Sequence, residues 1–105
     1  MMKDRRYERV TCKSGYSVSI QAGADKYSEP RSAEEGTVYN EVELGFPNRS
    51  DFLIDKYAED PSRPRDTVYA YVPSRTVYLL LTKHGGVEQG EVPLGIPVYG
   101  GKSFG

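Results

Sequence analysis

The chain of 105 residues has one cysteine, one histidine and no tryptophan. A lone thiol, Cys12, cannot close an internal disulfide, and a lone imidazole, His84, has no second histidine with which to build a metal site or a proton relay. No apolar run approaches the roughly 18 residues that a membrane-spanning helix needs, so no membrane partner is expected. The opening MMKDRRYERV is basic but no apolar stretch follows it, which argues against a secretory leader and for a reducing cytosol. Net charge is also scarce, at -1, and gives a polyanion or an anionic lipid surface little to hold. The phosphate-binding P-loop, Gly-x-Gly-x-x-Gly, Cys-x-x-Cys, Gly-x-Ser-x-Gly and the calcium-binding Asp-x-Asp-x-Asp-Gly loop are all missing. The expectation is a protein without enzymatic activity, cofactor or metal.

What is present describes one small α+β domain. With 37% hydrophobic residues the chain can fold, but at this length it buries only roughly 60–70% of the surface its unfolded form exposes. YERVTCKSGYSVSIQAG reads as a hairpin over residues 7–21. A two-residue turn would scramble its faces. A three-residue loop, Lys13 to Gly15, pairs Cys12 with Tyr16 and Val10 with Val18 and places Gly15 at the left-handed position such loops require. Cys12 then points inward as a small core residue. TVYNEVELGF predicts a strand over 37–46, with Val38, Val42, Leu44 and Phe46 on the dry side. TVYAYV predicts another over 66–72, with Val68, Ala70 and Val72 facing one way and Tyr69 and Tyr71 the other.

Two short helices are expected. Asn48 or Ser50 can cap a helix over 50–59 that starts with Asp51 and ends before Pro61. In SRTVYLLLTKH, Val77, Leu80, Leu81 and His84 share one helical face, Pro73 suits a start and Lys83-His84-Gly85 suits a stop, which predicts a helix over 74–84. The last segment alternates Val92, Leu94, Ile96 and Val98 with Pro93 and Pro97, so 91–98 can only be an edge strand, and residues 88–105 form a Gly/Pro-rich arm. Such an arm could add a strand to a second copy of the chain, making a homo-oligomer or an assembly role possible.

Few residues suggest chemistry. His84 in a last helical turn is explained by capping and by the helix dipole rather than by catalysis. Asp51, Asp55 and Glu59 would line one helical ridge, but without a completing ligand they read as a solvent face. The more unusual feature is nine tyrosines among twelve aromatics. Tyr39, Tyr69 and Tyr71 point outward from their strands in this reading, and either form a recognition face flanked by Arg63, Arg65 and Arg75 or cover a second sheet face beneath a loop or helix. Residues 25–43 carry six acids against two bases, and Glu34, Glu35, Glu41 and Glu43 would match a basic partner.

Taken in order, VSIQAG, YNEVELGFP, YAEDPSRPRDTVYAYVP and KHGG resemble an uncharacterised family of small proteins encoded by tailed bacteriophages, over roughly residues 16–95. The resemblance transfers no active site. It implies a setting, the cytoplasm of an infected bacterium, in which a small accessory protein binds and inhibits a host protein such as an antiphage defence or regulatory factor, in the manner of an anti-CRISPR. The alternative is a sponge that sequesters a nucleotide signal in a pocket at an oligomer interface, with Arg31, Arg63, Arg65 or Arg75 on phosphate and a tyrosine on the base.

Overall fold

The structure, a computed structural model, describes residues 5–97. Five strands, β1 (Val10–Cys12), β2 (Ser17–Gln21), β3 (Glu41–Gly45), β4 (Val68–Pro73) and β5 (Val87–Gln89), form one antiparallel sheet in the order β4-β3-β2-β1-β5. The one α-helix among the described residues, α1 (Ser74–Lys83), follows β4 directly, and a short 3-10 turn spans Asp55–Tyr57.

The hairpin register is the expected one. Val10 lies opposite Val18, the Cys12 amide donates to the Tyr16 carbonyl, and Gly15 sits at φ 96. Inward residues of the strands, among them Val10, Cys12, Val18, Ile20, Val42 and Leu44, form one core with Val77, Leu80 and Leu81 of α1. The helix start is braced from β3: the Ser74 amide donates to the Asn40 carbonyl and its hydroxyl to the Tyr39 carbonyl. Its end is a Schellman arrangement in which the Gly85 amide donates to the Thr82 carbonyl and the Gly86 amide to the Leu81 carbonyl.

Four expectations are corrected. Residues 50–59 are not a helix, because the Asp51 carboxylate accepts the amide of Leu53 two residues on and holds the chain in successive turns that end in the 3-10 segment. The strand expected over 37–46 pairs only over 41–45. Val38 and Phe46 are exposed, at 60% and 49%, because Tyr39 takes the inward place near one end and Phe46 adopts φ 50 at the other. The edge strand is β5 at 87–89 rather than 91–98. Residues 91–97 instead fold back onto the domain, where the Tyr39 amide donates to the Leu94 carbonyl and Ile96 is buried. Gly95 permits that approach, since a Cβ there would strike the Tyr39 carbonyl. The part of the expected arm beyond Pro97 lies outside the described residues.

The fourth correction concerns β4. Between the pairs Val42 to Val72 and Leu44 to Tyr69, β3 advances two residues while β4 advances three. The extra residue is a bulge, taken up by Tyr71 at φ 53. It shifts the parity of the strand, so Tyr69 and Val72 both face the core and Tyr71 alone turns out.

Cys12 is fully buried and burial pushes its thiol up to about 11. In native protein at mildly alkaline pH, iodoacetamide should leave Cys12 unmodified, with full labelling only in denaturant. Fast alkylation of the folded chain would show that the inner face of the hairpin is open.

Candidate functional site

Two regions gather functional groups. The first is built around Asp51, whose side chain is 3% exposed. Its Oδ1 accepts from the Leu53 amide at 2.9 Å and from Lys83 Nζ at 3.1 Å, while Oδ2 lies 2.8 Å from His84 Nε2 and 3.0 Å from Lys83 Nζ. A carboxylate only accepts, so Nε2 of His84 carries a proton. The imidazole stacks on the Tyr16 ring, with centroids 4.0 Å apart and planes 7° from parallel. The backbone closes the same unit: the Ser14 amide donates to the His84 carbonyl and the Lys13 amide to that of Gly86.

Burial alone would raise the Asp51 carboxyl, but the Leu53 amide, Lys83 and His84 together hold it below the ordinary carboxylate range. The opposite nitrogen of the His84 ring forms no hydrogen bond among the described residues. The nearby thiol of Cys12 is aimed at the Leu81 carbonyl and kept protonated by burial. A protonated thiol and an imidazole committed to a carboxylate make a clamp rather than a nucleophile and its base. His84 is the C-cap of α1, as expected from its place in the last turn, and its contact with Asp51 is a second role that composition did not reveal. The ridge expected of Asp51, Asp55 and Glu59 does not form, because Asp51 turns inward while the others face solvent. Among the described residues no group of three or more His, Cys, Asp or Glu side chains is placed to hold a metal.

The Tyr16 hydroxyl is buried without a hydrogen-bond partner among the described residues, and burial, with the Asp51 charge adding to it, pushes its ionisation well above the ordinary tyrosine range.

The second region lies on the opposite side of β3 and β4 from the core. Tyr71, turned out by the bulge, is 39% exposed and its ring centroid lies 5.8 Å from that of Tyr27, which is 38% exposed. The Tyr27 loop reaches across the sheet, donating its amide to Glu43 Oε1 and accepting the Tyr71 amide at its carbonyl. Glu29 pairs with Glu41 in an isolated bridge, and Glu29 Oε1 accepts from Asn40. Arg31 places its guanidinium carbon 6.0 Å above the Tyr27 ring. Two half-exposed rings thus sit where the Glu43 carboxylate holds the Tyr27 amide, on the face of β3 that also carries Glu41.

Of the tyrosines expected to face outward, only Tyr71 does. Tyr39 is 4% exposed with its hydroxyl on the Ser32 carbonyl, and Tyr69 is fully buried with its hydroxyl on the Pro64 carbonyl. Tyr27, in a polar loop, was not among the candidates, and no strand parity could have pointed to it. Glu34 and Glu35 are exposed on a turn, Arg63 pairs with Asp66 at 3.5 Å, and Arg65 and Arg75 are exposed. The chain matches no family model, no curated protein and no solved structure.

Asp51→Asn removes the anion while keeping the shape. It should cost about 2 kcal/mol near neutral pH, since Lys83 and His84 lose their acceptor. A carboxyl held low stabilises the fold fully above its unfolded value of about 4 and loses that contribution as pH falls through the lower folded value. In urea unfolding at a series of pH values, the gap between wild type and variant should close on acidification. A gap that is constant with pH would contradict the clamp. Tyr16→Phe should be neutral or stabilising by up to about 1 kcal/mol, because it removes an unpaired buried hydroxyl. A clear loss in the same assay would reveal a partner for that oxygen.

Proposed function

We propose that the chain is a non-enzymatic phage accessory protein that binds a basic surface of a host protein and inhibits it by occlusion. The observation that carries the reading is Tyr71, held at φ 53 in the middle of a strand with its ring in solvent beside Tyr27. A non-glycine residue in the left-handed region costs on the order of 1–3 kcal/mol, and such strain persists where the surroundings impose it, often at binding surfaces. Paired tyrosines supply rigid contact area at low entropic cost. The Glu43 carboxylate on the Tyr27 amide, with Glu41 on the same face of β3, favours a partner rich in lysine and arginine, such as a protein whose normal ligand is a nucleic acid. The resemblance to tailed-phage proteins favours an antiphage defence component of the bacterial cytoplasm.

Nucleotide capture has one observation on its side, the guanidinium of Arg31 above the Tyr27 ring. Its other arginines are less apt, since Arg63 is engaged by Asp66 and Arg65 and Arg75 face solvent on other elements. An assembly role through a free arm is weakened by the docking of 91–97 onto Tyr39.

Immobilised protein should retain a partner from bacterial lysate at low salt, release it as salt rises, and lose it in the Tyr27→Ala/Tyr71→Ala double variant. Both rings are half-exposed, so that variant should fold with a nearly unchanged midpoint. Retention of nothing at any salt, or equal retention by the double variant, would count against the proposal.

A further inference from the structure

A separate cleft of about 400 Å³ lies beneath the 34–37 turn, at the level where residues 91–97 cross Tyr39. Its lining joins apolar Ala22, Ala33, Val92 and Leu94 to the charged Arg5, Glu34 and Glu35, and Leu94 is 57% exposed. The charges do not balance. Arg5 is taken by Glu91 at 2.9 Å, with its guanidinium 4.4 Å above the Tyr7 ring, whereas neither Glu34 nor Glu35 has an ion-pair partner among the described residues. The turn that carries them is fixed: the Thr37 amide and hydroxyl both donate to the Glu34 carbonyl, the Glu34 amide donates to Ser32 Oγ, and the Tyr39 hydroxyl anchors the Ser32 carbonyl.

We infer that this cleft receives an arginine side chain from an extended segment of the partner. An arginine matches both halves of the site. Its methylene stem covers apolar lining such as Leu94 and Val92, and its planar guanidinium can bridge two neighbouring carboxylates. An acidic or neutral side chain would leave Glu34 and Glu35 uncompensated. An aliphatic one would meet the apolar lining and leave the two carboxylates unused. The inference takes its biological meaning from the basic partner proposed above, but the cleft is a different surface from the Tyr27–Tyr71 pair and can be tested without any partner.

The test is a titration of isotopically labelled protein with Ac-Gly-Arg-Gly-NH2 to millimolar concentration at low salt, followed by NMR. The amides of residues 34–37 and the Leu94 methyls should shift and saturate. Ac-Gly-Glu-Gly-NH2 should produce no such shifts. The Glu34→Gln/Glu35→Gln variant, altered only at exposed positions, should bind at least fivefold more weakly with an unchanged unfolding midpoint. The Tyr27→Ala/Tyr71→Ala variant should bind as wild type does. No saturable shift, equal response to the glutamate peptide, or loss of binding in the tyrosine variant with retention in the glutamine one would overturn the assignment. Peptide binding with no lysate partner would leave the cleft standing and remove the inhibitor reading. The reverse outcome would do the opposite.

Discussion

Burying the Asp51 carboxylate is the constraint around which this fold closes. An anion with a 3% exposed side chain has to be met by donors, and a chain this short has few elements from which to draw them. The donors come from two places: Leu53 in its own turn, and Lys83 with His84 at the end of α1. The His84 carbonyl and ring in turn hold the Ser14 amide and the Tyr16 ring of the first hairpin. One carboxylate therefore fixes where the helix stops, how the hairpin turn meets it and which way the 51–54 turn runs. Lys83 extends the unit outward, with its ammonium 4.3 Å above the ring of Phe52, a residue 76% exposed. Phe52 sits in solvent because its neighbours Asp51 and Ile54 are both committed to the interior.

The parts of the fold that were legible in the sequence are those governed by local rules. The hairpin could be read because only a three-residue loop keeps Val10 and Val18 on one face, and Gly15 sits where that loop needs it. The helix could be read because Val77, Leu80 and Leu81 repeat at its period and Lys83-His84-Gly85-Gly86 supplies both halves of a Schellman stop. The failures share a cause, which is a side chain or a bulge overriding the local pattern. Asp51 looked like a first-turn acid and instead captured the backbone of Leu53, a competition that short polar side chains often win. In β4 the alternation of Val68, Ala70 and Val72 was regular, yet one inserted residue reversed it, and nothing in VYAYV marks the insertion because tyrosine is not a usual bulge residue.

That reversal redistributes the tyrosines. Tyr69 and Tyr39 went to the core and satisfied their hydroxyls on the carbonyls of Pro64 and Ser32, while Tyr71 kept a half-exposed ring beside Tyr27. The acidic stretch divides in the same way. Glu43 spends an oxygen on the Tyr27 amide and Glu29 on Asn40, while Glu34 and Glu35 keep theirs for solvent.

Among the described residues two that are not glycine have positive φ, Phe46 just past the end of β3 and Tyr71 at the bulge within β4, and both expose an aromatic ring. The bulge itself requires only a residue that tolerates the left-handed region, and glycine or asparagine would meet that need with less strain. At position 71 the backbone amide is tied to the Tyr27 carbonyl, and at position 46 the carbonyl accepts from Arg9 while the amide donates to Thr67, so the conformation at each site is held from outside. Geometry explains the left-handed backbone at these positions, but it gives no reason for a large ring to occupy either. At Tyr71 the ring meets that of Tyr27, with centroids 5.8 Å apart, and the two form one half-exposed aromatic pair.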